Sequence, residues 1–431
     1  MPQTLLASEK AINHEDGLNM TMGLQRIAQA VEKLAEQAQK PTVYAFHIDG
    51  TESVPASKVT YLEDASGFTP AAMDYTNGKF DYGSWANAFF MPRPCMVKSD
   101  GTVDYYLLEN DYTKKTDGTA SDVANTSYDG NAMMEWGRNG KKIWYKIVPD
   151  TGDTSSATVY IADEQVDPDY VAWSFVNNQG NYVDHFYTAI YNGSNGDASN
   201  KMRSLSGQAV KKSLTGQNEI IAAELNNPGT DKLWYTDVFC DRILIDLLLV
   251  LIGKSTDTET VFGNGLITGS ETALTNYVTG ALNDKGLFFG YSDQTHAVKV
   301  FGMENWWGAQ WRRTAGLNMN SGVFKYKMTY PYTTDSQGYV NTEVTPTGTS
   351  GGYISKMVFL KDAFVAGEVS GTSSTHYCDG QWWNASGDRW SLWGGNSSDG
   401  VVCGAFSCYV YVALGATTWT FGSALSLKPL A

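Results

Sequence analysis

The chain has few of the residues on which metalloenzymes and disulfide-bonded proteins depend. Its 431 residues include only five cysteines and five histidines. A small, odd number of cysteines argues against a disulfide scaffold and fits assembly in a reducing cytoplasm. The histidines lack the His-x-x-His and His-Glu-x-x-His spacings of zinc sites, so we expect no metal and no other cofactor. Calcium binding stays open, because the acidic residues within 254–265 have no fixed ligand spacing.

Motifs for nucleotide binding are missing too. The sequence contains no Gly-x-x-x-x-Gly-Lys-Ser/Thr loop and no Gly-x-Gly-x-x-Gly turn after a predicted strand. A glycosidase needs only two suitably placed carboxylates, and a sequence alone does not exclude that. Because acidic loop residues are ordinarily just solvated, we predict a protein that is not an enzyme.

Basic charge and long apolar runs are also scarce. The chain carries 46 acidic and 31 basic residues, a formal charge of -15 that disfavours nucleic acid as a partner. The longest apolar run, residues 243–252, is interrupted by Asp246 and is too short to cross a bilayer. We therefore expect a buried helix there and no membrane insertion. The polar, acidic amino terminus predicts no secretion signal.

An apolar seam predicts a helix near the amino terminus. The spacings 4, 3, 4, 3 and 4 separate Met20, Leu24, Ile27, Val31, Leu34 and Ala38. Isolated helices of this length are marginal in water, so this one needs a partner. Ile27 and Val31 at both kinds of seam position favour three strands, which predicts a homotrimer formed through residues 20–38. Packing of the helix onto its own chain is the alternative.

After Lys40 the sequence is typical of β structure. Short runs rich in Tyr, Val, Thr and Phe are separated by turn signals such as "YTNGKF" and "KSDGTV". Two helices are predicted, at 214–229 with Thr215 as the cap and at 236–254 with Thr236 or Asp237 as the cap. The pattern indicates an α+β fold. We predict a helix over 1–40, a β-rich region over 41–128 and a larger domain over 129–431.

Residues 400–427, "GVVCGAFSCYVYVALGATTWTFGSALSL", contain no Asp, Glu, Lys or Arg. Sheet strands buried on both faces have this composition. An adaptable recognition surface built from small, hydroxylated and aromatic side chains has it as well.

One stretch carries a resemblance to a known family. Residues 298–317, "VKVFGMENWWGAQWRRTAGL", resemble the G-x-E-N-x-W-G-N-x-W-E element of the formylglycine-generating-enzyme type of C-type lectin fold. The segments at 185–194, 201–207 and 377–400 occur in the order expected for that family, and the resemblance covers about 129–427. It implies a C-type lectin domain behind the short coiled-coil helix and the β-rich region.

Within that fold the chain is most similar to phage and prophage proteins diversified by retroelements. Their last segment carries W-x-x-G-G-x-x-x-x-x-G-x-x-x-G-x-F. Trp390, Gly394, Gly395, Gly400, Gly404 and Phe406 correspond to it here, with one residue more between Trp390 and Gly394 and one fewer between Gly395 and Gly400. "FGSAL" at 421–425 takes the place of the closing I-G-x-R-L, with Ala424 where the family has Arg. The resemblance implies a variable ligand-binding segment over 390–425.

In such systems Asn template codons mutate to many residue types, but not to Trp, Lys, Glu, Gln or Met. The resemblance implies ten ligand-binding positions, all occupied by reachable residues: Asn396, Ser398, Val402, Ser407, Tyr409, Tyr411, Val412, Ala416, Thr418 and Thr420. Because strand side chains alternate between faces, we expect Ser407, Tyr409 and Tyr411 to share an exposed face.

The function implied is that of a receptor-binding, host-attachment protein in the tail of a phage or prophage virion, assembled in the bacterial cytoplasm. Its partners would be a bacterial cell-surface receptor, either protein or glycan, and other tail proteins. Two alternatives stay open: a formylglycine-generating-type oxidase that uses Cys403 and Cys408, and a structural tail or baseplate protein without a ligand. The structural interpretation of the two cysteines is that they are small buried residues without a chemical role.

Overall fold

The computed structural model describes residues 20, 22–29, 31, 40–195 and 200–430. The chain divides into two compact units, Met1–Thr42 and Val43–Ala431. In the first unit residues 22–29 are helical, and the seam residues Met20, Leu24, Ile27 and Val31 are 57–67% exposed. Leu34 and Ala38 lie outside the described residues. In the part of the chain that the structure describes, none of the helices combines the length and hydropathy needed to span a bilayer.

The second unit mixes helices and strands. The structure as a whole is mostly β, with 13% helix and 33% strand, which confirms the α+β prediction. Its strands are β1 (Val43–Ile48), β2 (Val59–Glu63), β3 (Ala72–Asp74), β4 (Lys79–Asp81), β5 (Arg93–Lys98), β6 (Val103–Leu108), β7 (Asp111–Lys115), β8 (Gly130–Trp136), β9 (Trp144–Asp150), β10 (Asp153–Ala162), β11 (Phe186–Ala189), β12 (Trp234–Thr236), β13 (Lys299–Val300), β14 (Met303–Glu304), β15 (Trp311–Asn320), β16 (Val323–Tyr326), β17 (Val340–Asn341), β18 (Thr347–Gly348), β19 (Gly351–Phe359), β20 (Phe364–Val369), β21 (Gly380–Trp383), β22 (Asp388–Trp393), β23 (Cys408–Val410), β24 (Phe421–Gly422) and β25 (Leu425–Leu427). The helices are α1 (Gly216–Glu224), α2 (Phe239–Gly253), α3 (Thr258–Phe262) and α4 (Glu271–Asn276), with 3-10 turns at Arg138–Gly140 and Trp173–Phe175.

Three larger sheets organise this unit. A four-stranded antiparallel sheet has the order β2-β1-β10-β9, and a seven-stranded sheet has the order β12-β25-β11-β8-β5-β6-β7. A sheet of ten strands has the order β17-β16-β15-β22-β23-β21-β19-β20-β18, with β24 joined to β15. The carboxy-terminal segment enters two of these sheets, through β23, β24 and β25.

The predicted boundary between residues 128 and 129 is not a boundary between units. Strand β5 from the predicted β-rich region pairs along its whole length with β8, from Arg93↔Glu135 to Lys98↔Gly130. Strand β1 likewise pairs with β10. Because main-chain ladders cross the predicted boundary twice, 43–128 and 129–431 belong to one compact unit. The boundary found, between Thr42 and Val43, lies near the predicted end of the amino-terminal helix.

Both predicted helices are present. Thr215 caps α1 by accepting a hydrogen bond from the Asn218 amide, as predicted. The prediction for the cap of α2 was wrong, because Thr236 belongs to β12 and the helix begins only after Val238. Asp237 instead faces the Arg312 guanidinium at 3.6 Å. All residues of α2 are buried, and the helix contacts β15 and α3 at the centre of the core. Helices α3 and α4 were not predicted.

Candidate ligand-binding surface

Strand β23 carries the middle of the charge-free segment and lies inside the ten-stranded sheet. Its Cys408 is opposite Trp393 of β22 and Gln381 of β21. Tyr409 is opposite Leu392 and Trp382 in the same two strands. Both edges of β23 are therefore paired, and Tyr409 and Trp382 lie side by side on one face of the sheet.

These two side chains belong to an aromatic patch, which we define as Trp382, Tyr409 and Tyr411. The ring centroids of Tyr409 and Tyr411 are 5.7 Å apart, and those of Trp382 and Tyr409 are 6.3 Å apart. Beneath the patch Trp311 and Phe421 are buried, with exposures of 4% and 6%. Trp311 contacts Trp382 and Tyr409 at centroid distances of 5.9 and 5.5 Å. The patch is thus a partly exposed layer over a buried aromatic base.

The main chain of residues 411–420 is held from outside the segment. The carbonyl of Leu414 accepts a hydrogen bond from Gly216 at 2.9 Å, and that of Thr418 accepts one from Ser213 at 3.2 Å. The carbonyl of Thr420 accepts a bond from the Trp311 amide at 2.9 Å. These contacts use backbone atoms of the segment, so its side chains can differ without removing them.

A buried arginine holds the same segment from below. Arg313 donates through Nη2 to the carbonyl of Ala416 at 2.6 Å. Its Nε lies 2.7 Å from an Oε2 of Glu219, and both side chains are at most 2% exposed. Burial raises the pKa of Glu219 to about 7, although the Arg313 charge counteracts part of that rise. Helix α1, which carries Glu219, is thereby tied to the outermost part of the charge-free segment.

A second buried arginine supports the start of the segment. Arg242 on α2 lies 4.2 Å from the ring centroid of Trp306 and 5.5 Å from that of Trp393. Its Nε is 3.2 Å from Asp246, and its Nη2 donates to the carbonyl of Ala405 at 3.3 Å. Burial raises the pKa of Asp246 to about 7, against the opposing effect of Arg242. The central helix therefore fixes the turn that precedes β23.

The ten predicted positions divide into three groups by exposure. Ser398 and Tyr411 are exposed, and Tyr411 is 43% accessible. Six are half-buried: Val402, Tyr409, Val412, Ala416, Thr418 and Thr420. Asn396 and Ser407 are buried. The structure thus brings Tyr409, Tyr411, Val412 and Ala416 together around the aromatic patch.

Ser407 and Asn396 were predicted to be displayed to a ligand, but both side chains are buried. Ser407 ends a turn before β23, where its Oγ accepts from the Gly380 amide at 3.1 Å and donates to the carbonyl of Val402. The amide of Asn396 binds Asp399, and its Oδ1 accepts from the Ser398 amide at 2.8 Å. Strand alternation fails at Ser407 because the residue is not in the strand. Its expected exposure on one face with Tyr409 and Tyr411 was wrong.

Cys403 and Cys408 are free and buried. Burial raises the pKa of both thiols above their ordinary value, so neither is a thiolate at neutral pH. Among the described residues, no three His, Cys, Asp or Glu side chains are placed to hold a metal ion. In the region where calcium binding stayed open, Asp257 caps α3 by accepting from the Thr260 amide at 2.9 Å.

Sequence reasoning missed one charged group within residues 390–425. Asp399 is the single charged side chain between Arg389 and Lys428, which was a signal that could have identified it. Burial raises its pKa to about 6, while bonds from Asn396 and Trp311 act in the opposite direction. Near it in the sequence, Trp383, Trp390 and Trp393 are buried and Trp382 is half-buried. Neither a protein-family model nor a curated protein sequence matches the chain.

Proposed function

We propose that this chain is the receptor-binding protein of a phage or prophage tail, displaying exchangeable side chains on a C-type lectin scaffold. The observation that supports the proposal most is that backbone and side chains have different roles in residues 396–420. Their backbone is held by Gly216, Ser213, Trp311, Arg313 and Arg242, whereas side chains such as Tyr411 face water. A rigid frame with changeable side chains is how antibody loops achieve varied recognition.

The resemblance over 129–427 supports the lectin scaffold. Glu304, Trp306 and Trp307 of the quoted motif are each at most 2% exposed. Glu304 accepts hydrogen bonds from the amides of Gly280 and Leu282, so the motif holds the loop after α4 against β14. Framework residues of this kind are what proteins of one fold are expected to share.

Tyrosine and threonine suit such a display energetically. A Tyr side chain offers a large amphipathic contact area while freezing only two rotatable angles, and Thr adds an adaptable hydroxyl. The hydroxyls of Tyr409 and Tyr411 have no hydrogen-bond partner within the described part of the chain. They are therefore available to a ligand without loss of an internal bond.

One copy of a small surface binds weakly, which gives the amino-terminal helix a role. Ile27 and Val31 are 62% and 57% exposed, as expected of seam residues whose partners are other copies of the chain. A trimer would raise the apparent affinity about 10²- to 10⁴-fold without any new contact. The oxidase alternative has less support, because it requires a reactive thiolate, and burial keeps Cys403 and Cys408 protonated.

Binding to whole bacterial cells tests this function. The fluorescently labelled full chain should bind a subset of candidate strains, and Tyr411→Ala should abolish most of that binding. Tyr182→Ala is the matched control, because Tyr182 is similarly exposed at 48% but lies outside the segment. Residues 41–431 alone should bind with far lower avidity. Equal binding by the Tyr411 and Tyr182 variants would contradict the proposal.

Diversification has its own test in the encoding genome. A near-duplicate template of the last hundred or so bases should lie beside a reverse transcriptase gene. Mismatches between template and gene should fall at adenines in the codons of the displayed positions. If both template and reverse transcriptase are missing, the diversification claim fails, although receptor binding does not depend on it.

A further inference from the structure

A lysine and an aspartate are in contact inside the protein. Lys428 follows β25, and its Nζ lies 2.5 Å from Oδ1 of Asp241 in the first turn of α2. The two side chains are 6% and 4% exposed. Nζ also donates to the carbonyl of Ser174 at 2.6 Å and lies 4.3 Å from the ring centroid of Phe186. An amine and a carboxyl group are therefore held against each other in a site shielded from solvent.

This pair differs chemically from the other buried ion pairs. Between described residues, three ion pairs have both side chains at most 6% exposed, and the other two use the guanidinium groups of Arg242 and Arg313. A guanidinium keeps its charge in proteins and does not act as a nucleophile. A buried lysine amine can lose its proton and then acts as one. Lys428 is thus the basic group of these three that can react with its acidic partner.

The hydrogen bonds around the pair suit an amide between the two side chains. Ser426 Oγ donates to Asp241 Oδ2 at 3.0 Å. If Nζ were bonded to Cγ of Asp241, Oδ2 would be the amide oxygen and would keep this donor. The amide N–H would keep the carbonyl of Ser174 as its acceptor. Both polar groups of the new amide would therefore be paired, as buried polar groups have to be.

We propose that Lys428 and Asp241 form an isopeptide bond. A proton first passes from Nζ to Oδ1 along their contact, and burial favours this transfer because it removes two charges from an apolar site. The Nζ lone pair then attacks Cγ, while the Ser426 hydroxyl stabilises the negative charge on Oδ2. Oδ1 takes a second proton from Nζ and leaves as water. The amide keeps one N–H, and the condensation consumes no oxidant and no co-reactant.

Such a bond would give the chain a covalent link that its cysteines do not provide. All five cysteines are free and buried. The new bond would join α2 to β25 across 187 residues of sequence, and cross-links that close long loops restrict the unfolded chain most. Strand β25 lies between β11 and β12 and directly follows the segment 390–425. The bond would therefore anchor the end of that segment to the central helix, whatever the segment binds.

The mass of the intact full chain under denaturing conditions tests the proposal. We expect a mass lower than that of the sequence by one water molecule. Trypsin cleaves after Lys232, Arg242 and Arg389, and it does not cleave after Lys428 because Pro429 follows. Residues 233–242 and 390–431 should therefore appear as one branched peptide, with the fragmentation pattern of an amide between Asp241 and Lys428.

Three variants examine the chemistry. Lys428→Arg keeps a positive charge beside Asp241 but cannot form the amide, so its mass should be that of its sequence. Lys141→Arg is the matched control, because Lys141 contacts Asp163 while its own side chain is 49% exposed. That pair should stay ionic, and the variant should still lack one water molecule. Ser426→Ala should form the bond about 10²-fold more slowly, as followed by mass after cell-free synthesis.

Several results would overturn the proposal. They are an unmodified mass of the full chain after prolonged incubation, a loss of water that peptide mapping assigns to other residues, and the same loss in Lys428→Arg. Stability is not the deciding readout, because removing Lys428 destabilises the fold whether its partner is held by an ion pair or by an amide. The mass of the unchanged chain decides the question even if a variant fails to fold.

Discussion

Replacement of Ser407 by alanine tests whether a buried residue of the segment contributes to stability but not to ligand binding. The Ser407 hydroxyl bridges the Gly380 amide and the Val402 carbonyl in a site with no accessible surface. Without it, the Gly380 amide still donates to the Val402 carbonyl at 2.9 Å, so neither group is left without a partner. The free energy of unfolding should therefore fall by about 1–2 kcal/mol, the value of a buried hydrogen bond. The larger cost of leaving a buried donor without a hydrogen-bond partner does not apply.

Urea unfolding followed by tryptophan fluorescence measures this loss. Ser398→Ala is the control, because it is the same substitution at an exposed position of the same predicted set, and surface changes cost at most about 0.5 kcal/mol. The Ser407 variant should be less stable yet bind cells like the unchanged chain. Equal stability of the two variants, or loss of binding by Ser407→Ala with the fold intact, would refute the division into frame and display.

Three further predictions concern the frame. Lys428→Met should lower the unfolding free energy by about 3–5 kcal/mol in urea, because it leaves the buried Asp241 without the ammonium group that contacts it at 2.5 Å; a loss below 1 kcal/mol would contradict this. Gly395→Ala should lower the melting temperature, because φ of Gly395 is +78° and an added Cβ would lie 2.3 Å from the Cys403 sulfur. An unchanged melting temperature would contradict this prediction. The pKa of Glu219 in the folded chain is about 7, above its ordinary value of 4.5. Between pH 4.5 and pH 7 the folded chain therefore holds a proton that the unfolded chain has lost. The free energy of unfolding should fall by up to about 3 kcal/mol as pH rises through this range. Glu219→Gln should flatten that pH dependence, and an unchanged slope would mean that another group causes it.

Local signals in the sequence predicted the local structure. Thr215 caps α1, and the apolar run before Gly253 forms the buried helix α2, because caps and composition act within one turn of a helix. The cap of α2 was predicted wrongly because the Asp237 carboxylate faces Arg312, a residue distant in the sequence. That partner is 75 residues away in the sequence (312 − 237), and no local pattern reports such a contact.

Long-range pairing limited the other predictions. The domain boundary at 128/129 failed because β5 pairs with β8, which lies on the other side of it. Ser407 is one of the ten predicted positions but precedes β23, so the alternation of side chains along the strand does not extend to it.

The central claim is that residues 411–420 can change their side chains without changing the fold. A variant with Tyr411, Val412, Ala416, Thr418 and Thr420 all replaced by other uncharged residues tests it, with melting temperature and cell binding measured on one sample. The account predicts a melting temperature within about 2–4 °C of the unchanged chain, a shift worth roughly 1 kcal/mol, together with loss of binding to the original cells. A variant that unfolds or aggregates, or one that still binds the same cells, would contradict it.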